Sequence, residues 1–137
     1  MKYYAEIQKT EGYYVVSFPD FKSINTFGKS LKEAINSAEE ALNGALESDF
    51  ERGYSLPKPT KLKGRNTYPI KLYPHIEIAY LLKRLRKGKS QVDVARRLGI
   101  SYQAYQKLEN PRKCNPTIKT LEKLSTVFGK RLEVSFI

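Results

Sequence analysis

The stretch Ser90-Gln91-Val92-Asp93-Val94-Ala95-Arg96-Arg97-Leu98-Gly99-Ile100-Ser101 decides how the second half of the chain folds. Ser90 is a good N-cap, and Asp93 stands three residues on, where an acidic side chain suits a helix start. Val94, Ala95 and Leu98 share one face of the helix that follows. Gly99 ends it, because glycine takes the left-handed conformation that a side chain resists. Ser101 is a second cap, opening a short helix in which Ala104, Tyr105 and Leu108 are expected to face inward. A cap, about two turns of helix, a glycine turn and a second cap make a helix-turn-helix. Ala95 is small enough to let the two helices cross closely, while Ile100 and Leu108 fill the space behind them.

The flanking sequence supplies the rest of a helical unit. Ile76, Ala79, Leu82 and Leu85 mark a preceding helix that ends near Gly88. Asn115-Pro116-Thr117 precedes another, with Ile118, Leu121, Leu124, Val127 and Phe128 on its apolar face and Gly129 at its end. Leu132, Val134 and Phe136 then alternate with Arg131, Glu133 and Ser135, the period of a terminal strand.

The first half has a different periodicity. In Lys2 to Gln8, Tyr3, Ala5 and Ile7 fall on one face, which predicts a half-buried strand. Thr10-Glu11-Gly12 is a turn, and Tyr13 to Phe18 a β-branched and aromatic strand that pairs back as a hairpin. Pro19-Asp20 ends it, and Ile24 to Phe27 reads as a short third strand. Ser30 with Glu33 forms a capping-box pattern. Leu31, Ala34, Ile35, Ala38, Ala41, Leu42, Ala45 and Leu46 then follow at helical spacing, with Gly53 as a stop. Two prolines in Ser55-Leu56-Pro57-Lys58-Pro59-Thr60-Lys61 interrupt regular structure. The expected fold is therefore α+β. Residues 1–60 form a small sheet with one helix, completed by a strand at 69–74. Residues 61–74 are a linker region, and 75–137 form an all-α helix-turn-helix domain with a terminal strand.

Composition narrows the function. The chain has 137 residues, 25 Lys+Arg and 14 Asp+Glu, a formal charge of +11. Residues 1–60 carry seven Lys/Arg and nine Asp/Glu, a net of −2, and residues 61–137 carry eighteen and five, a net of +13. Such asymmetry marks a bipartite chain, and the basic part calls for a polyanion, most simply nucleic acid. One cysteine, Cys114, excludes a disulfide framework and a cysteine-rich zinc site. No apolar run reaches the ~20 residues of a membrane span. The start, MKYYAEIQK, has no signal-peptide core, so the expected compartment is the cytoplasm.

Two resemblances sharpen these readings. Residues 90–129 resemble the Xre/Cro-type helix-turn-helix of phage repressors, most closely in Ser101-Tyr-Gln-Ala-Tyr-Gln-Lys-Leu-Glu-Asn110 and in Asn115-Pro116-Thr117 with Leu121 and Leu124. The resemblance implies that Tyr102, Gln103 and Lys107 face the major groove, with Ser101 and Gln106 beside them and Ala104 in apolar contact with a thymine methyl. Gln91 would bond a phosphate through side chain and backbone, and Asn110, Arg112 and Lys113 would track the other backbone. Residues 1–60 resemble the HicB antitoxin family in Gly12-Tyr-Tyr-Val-Val-Ser-Phe-Pro-Asp20, in Gly28-Lys-Ser-Leu-Lys-Glu-Ala34 and in the Ala-rich helix to Leu46. HicB domains are similar to a truncated RNase H fold without its active site, and some carry a C-terminal helix-turn-helix. The implied partners are HicA, a small basic RNase toxin bound somewhere within 1–60, and the operator DNA of the shared operon. A homodimer or higher oligomer through the C-terminal domain is implied too, with the strand from Arg131 to Ile137 as one dimer contact.

Plainer readings stand beside these. Arg84, Arg86, Lys87, Lys89, Arg96 and Arg97 serve either as phosphate contacts or as a solvated basic face. His75, beside Pro74, reads as structural, and Cys114 as a surface or half-buried residue. RNase H chemistry needs clustered carboxylates holding two metal ions. Asp20, Glu33, Glu39, Glu40, Glu47 and Asp49 are available, but Glu33 is explained as a cap and Glu39, Glu40 and Glu47 fall on the polar helix face. No enzyme, no metal and no cofactor are expected. The competing function is a stand-alone helix-turn-helix regulator with a ligand-sensing N-terminal domain.

Overall fold

The computed structural model describes all residues 1–137. The chain divides into two compact units, Met1–Pro74 and His75–Ile137. In the first, strands β1 (Lys2–Thr10), β2 (Tyr13–Phe18) and β3 (Phe21–Gly28) precede helix α1 (Leu31–Asp49), a single 3-10 turn at Phe50–Arg52 and strand β4 (Thr67–Lys71). The sheet order is β3-β2-β1-β4, with every neighbouring pair antiparallel. Glu11 (φ +50°) and Gly12 (φ +86°) both take left-handed conformations between the paired residues Thr10 and Tyr13. This is the turn whose twist matches that of a two-residue hairpin.

Alternation then assigns the faces. Tyr3, Ala5 and Ile7 of β1, Val16 and Phe18 of β2, Ile24 of β3 and Ile70 of β4 are buried, as are Ala34, Ala38, Leu42 and Leu46 of α1. The third strand is longer than the expected Ile24 to Phe27, because the Pro19-Asp20 turn is tight enough for Phe18 to pair with Phe21. Gly28 ends β3 where the chain doubles back: a Cβ there would lie 2.3 Å from the backbone nitrogen of Ala34. Ser30 caps α1, its Oγ accepting from the Glu33 amide at 3.1 Å. Asn43, on the buried side of α1, is 1% exposed. Its Nδ2 donates to the carbonyls of Glu39 (2.9 Å) and Lys71 (3.1 Å), and its Oδ1 accepts from the Tyr73 amide at 2.7 Å. One side chain thereby fastens the helix to the end of β4.

The proline-rich segment is fastened as well. The Tyr3 hydroxyl donates to the Pro57 carbonyl at 2.6 Å, and the Asp20 carboxylate accepts from Thr60 through its amide (2.9 Å) and its hydroxyl (2.7 Å). Lys61, Lys63, Arg65 and Lys71 therefore belong to the first unit, and the charge divides differently from the cut at residue 60. Met1–Pro74 carries eleven Lys/Arg and nine Asp/Glu, a net of +2, while His75–Ile137 carries fourteen and five, a net of +9.

The second unit is built from α2 (Pro74–Leu85), α3 (Gln91–Leu98), α4 (Tyr102–Leu108) and α5 (Ile118–Val127). Leu82, Val94, Ala95, Leu98, Tyr105, Leu108 and Leu124 form its buried cluster, with Ile78, Ile100, Leu121, Val127 and Phe128 packed around it. Three expectations are corrected here. Ile118 is 62% exposed, since it is the first residue of α5 and lies ahead of the turn that contacts the core. Ala104 points to solvent, leaving Tyr105 and Leu108 as the inward residues of α4. Residues 131–137 form no strand: no backbone hydrogen bond within the chain involves them, and a strand exists only against a neighbour.

Candidate nucleic-acid interface

Three side-chain caps set the helices of the second unit in place. Ser90 Oγ accepts from the Asp93 amide (3.0 Å), Ser101 Oγ from the Ala104 amide (3.1 Å), and Thr117 Oγ1 from the Thr120 amide (3.1 Å). Between α3 and α4, Gly99 (φ +71°) donates its amide back to the end of α3, and the Ile100 amide reaches the Ala95 carbonyl at 3.1 Å. The turn thus satisfies the free carbonyls of α3 while redirecting the chain by one short step into α4.

That redirection leaves one side of α4 bare. Ser101, Tyr102, Gln103, Ala104, Gln106 and Lys107 are exposed, whereas Tyr105 and Leu108 are buried against α3 and the rest of the cluster. The exposed residues supply amide donors and acceptors, one ammonium, one phenol and a methyl group. These are the groups that read base edges in a major groove. Arg112 and Lys113 are exposed in the loop after α4. Asn110 is half-buried, and its Oδ1 accepts from the Arg112 amide at 2.9 Å, so it shapes the loop that presents those two cations.

Several other polar and basic side chains of the segment also make bonds within the chain. The Arg86 Nε and Nη2 donate to the two oxygens of Glu109 at 2.6 and 3.1 Å, and its Nη1 donates to the Lys89 carbonyl at 2.9 Å. This bidentate pair holds the guanidinium above its usual range and makes Arg86 part of the interior rather than of a solvated face. Gln91 is half-buried, and its Nε2 donates to Glu109 at 3.2 Å, so its amide group supports α4 from within. Lys89 Nζ donates to the Val127 carbonyl at 3.2 Å. Arg96 and Arg97 both pair with Asp93, at 2.7 and 3.2 Å, and the Arg96 hydrogen bond leads in holding the Asp93 carboxyl below its ordinary range.

Glu109 is the residue that a reading of the sequence missed. It is 8% exposed and joins α2, the start of α3 and the end of α4. The available signal was its place four residues after Tyr105 and one after Leu108, on the inward face, within a strongly basic segment. The Tyr105 hydroxyl is buried beside it without a hydrogen bond of ordinary geometry; burial first, then the Glu109 carboxylate, raise its pKa far above a normal phenol. Cys114, expected at or near the surface, is 5% exposed, and burial pushes its thiol up to about 11.

The first unit offers a surface of another kind. On the sheet face opposite α1, Tyr13, Val15 and Phe27 are 46%, 44% and 59% exposed. Val15 pairs directly with Phe27, whose ring meets Tyr13 edge to face at 5.7 Å. They line a shallow depression with Asn25. The carboxylates considered for metal chemistry do not converge: Asp20 is occupied by Thr60, and no group of three His, Cys, Asp or Glu side chains forms a site for an ion.

Comparison with known proteins follows the same division. A profile described as HicB-like antitoxin of bacterial toxin-antitoxin systems matches residues 2–75, more than half of the chain. The chain belongs to the HicB-like antitoxin family. A helix-turn-helix profile matches residues 82–134 of this HicB-like antitoxin. Relatives named Antitoxin HicB align along most of it. Antitoxin HicB 1 of Photorhabdus laumondii is 30% identical over 125 residues, covering 91% of this chain and 79% of the relative. Antitoxin HicB of Escherichia coli K12 is 27% identical over 128 residues, covering 93% and 92%. No helix of the antitoxin is long and apolar enough to cross a membrane.

Proposed function

We propose that this HicB-like antitoxin neutralises a HicA-like mRNA-cleaving toxin with its first unit and represses its own operon with its second. The observation that carries the reading is the pairing, in one chain, of a HicB-like unit with a helix-turn-helix whose α4 side chains are bare. The first unit acts by covering the toxin rather than by catalysis, and the exposed Tyr13, Val15 and Phe27 support this, since a contiguous aromatic patch on a small unit is characteristic of a protein-binding surface. The second unit binds operator DNA as a symmetric dimer, with Gln103, Gln106 and Lys107 toward the bases and Arg112 and Lys113 on phosphates. Both partners are encountered in the cytoplasm, and no cofactor takes part.

Two measurements test the reading. Gel-shift titration on the DNA upstream of the gene at modest salt should give one specific complex; binding indistinguishable from that on unrelated DNA ends the repressor half. Co-expression with the small basic protein encoded beside the gene should restore growth and yield a copurifying complex. A toxin that remains active with the antitoxin in excess ends the other half.

A further inference from the structure

The segment between α1 and β4 carries a charge that nothing in the first unit uses. Lys58, Lys61, Lys63 and Arg65 lie within eight residues, and residues 55–66 hold no Asp or Glu. All four cations are exposed, and none pairs with a carboxylate of the chain. The carboxylate that does reach the segment, Asp20, is taken up by the amide and hydroxyl of Thr60. The eleven Lys/Arg of Met1–Pro74 less these four leave seven against nine Asp/Glu, a net of −2. The +2 of the unit is therefore a weakly acidic body bearing a strap of +4. The strap is also fixed in place. Leu56 is buried and Pro57, Pro59 and Leu62 are half-buried, so its apolar residues lie against the unit. Besides the bonds to Pro57 and Thr60, the Thr67 Oγ1 donates to the Gly64 carbonyl at 2.9 Å, and the Ile7 amide donates to the Asn66 carbonyl at 2.8 Å.

We infer that this strap is a second phosphate-binding surface, outside the helix-turn-helix, that grips the backbone of duplex DNA. Closely spaced cations with no acceptor of their own are the electrostatic footprint of a polyanion, and each phosphate they neutralise releases condensed counterions. The anchored backbone favours binding, because little main-chain freedom is left to lose. Contacts of this kind hold a protein on the duplex without reading its bases. No aromatic residue lies between Lys58 and Asn66, so the strap lacks the stacking surface that single-stranded RNA or DNA uses. A basic protein would be repelled by it. The chain itself sets the reach. Arg65 stands ten residues before His75, at most about 35 Å of extended chain, or about one turn of B-DNA. Once the second unit holds DNA, binding by the strap is an intramolecular event at high effective concentration. The inference rests on the proposed repressor reading for the presence of that DNA.

The test is the salt dependence of DNA binding by the full chain, on an operator duplex and on an unrelated duplex of the same length. Lys58→Gln, Lys61→Gln, Lys63→Gln and Arg65→Gln together should weaken both complexes by at least about tenfold at 0.1 M salt. The slope of log K against log salt should fall by more than about one, and by about 3.6 if every cation meets a phosphate. The ratio of the two affinities should stay that of the parent chain, since no base contact is lost. A control with the same change in charge, Lys9→Gln, Lys22→Gln, Lys29→Gln and Lys32→Gln, should keep the parent slope. All eight residues are exposed, so both variants should melt with the parent. A strap variant whose slope falls by less than about one, or equal losses in strap and control variants, overturns the inference. So does a strap variant that keeps its duplex affinity but loses binding to single-stranded RNA, or loses growth rescue from the toxin; these outcomes give the strap to RNA or to the toxin. A parent chain that binds both duplexes equally ends the repressor reading, while a strap-dependent slope on the unrelated duplex still supports the strap.

Discussion

Asn43 and Glu109 do at single-residue scale what the apolar pattern cannot. Each is a buried polar side chain with its hydrogen-bond partners inside the chain: Asn43 ties α1 to the C-terminal end of β4, and Glu109, just after α4, links to Arg86, just after α2, and to Gln91 at the start of α3. Asn43→Leu keeps the volume but strands the Tyr73 amide, and the loss should be about 1–3 kcal/mol, read as a lower urea midpoint with unchanged slope. Glu109→Gln removes the counter-charge of Arg86, whose side chain is 20% exposed, and should cost about 3 kcal/mol. The double variant Arg86→Met, Glu109→Leu should recover most of that loss, because the larger part of it is the uncompensated guanidinium. A double variant as unstable as Glu109→Gln would show that the pair itself, not the orphaned charge, holds the helices. Cys114 supplies a check at alkaline pH. Its folded pKa of about 11 exceeds the ordinary thiol value of 9.0, so burial favours the neutral form. That contribution is complete below pH 9 and is lost as pH rises from 9 to 11. The native thiol should therefore resist a disulfide reagent at pH 8 until the chain is unfolded.

At the scale of the element, α4 was legible because its determinants are local. Ser101, the turn glycine Gly99 and the apolar pair Tyr105 and Leu108 fix where the helix starts and which side is buried. The same holds for the β1–β2 hairpin, whose turn needs positive φ at two adjacent residues, the second of them Gly12. Long-range bonds were not legible. Nothing in Asp20 or Thr60 announces that they meet across forty positions, nor that Tyr3 reaches Pro57. The bidentate bond of Arg86 to Glu109 likewise converts an expected surface cation into an interior one. The exposed and tied residues of the helix-turn-helix should separate in a salt titration of DNA binding. Gln103→Ala should weaken the operator complex by about 1–3 kcal/mol and narrow its margin over unrelated DNA. Arg112→Ala should weaken both complexes alike and lower the salt slope by about one. Arg86→Ala should instead lower the melting temperature, since its charge is already neutralised inside the unit.

At the scale of the whole molecule, the sequence shows that two units of different build and charge share one chain but places the electrostatic border too early. Counting to residue 60 leaves the first part acidic, yet the Thr60 and Pro57 contacts carry the basic segment that follows into the sheet unit, which ends at +2 against +9 for the helical one. A weakly charged first unit points away from simple charge matching and toward apolar contact as the larger share of the proposed toxin binding. That distinction can be measured. Arg112→Glu with Lys113→Glu removes two exposed cations and adds two anions where DNA is expected, and should reduce operator binding at 0.1 M salt by about a hundredfold or more. Growth rescue from the toxin should stay intact, because both substitutions lie outside Met1–Pro74. Phe27→Asp places a charge in the centre of the exposed sheet patch, beside Tyr13 and opposite Val15, at a site open enough for the fold to survive. It should abolish rescue at matched expression while leaving the DNA shift of the isolated antitoxin unchanged. The outcome that contradicts this division is rescue by Phe27→Asp together with loss of rescue in the Arg112 and Lys113 variant, which would move the toxin surface onto the basic unit.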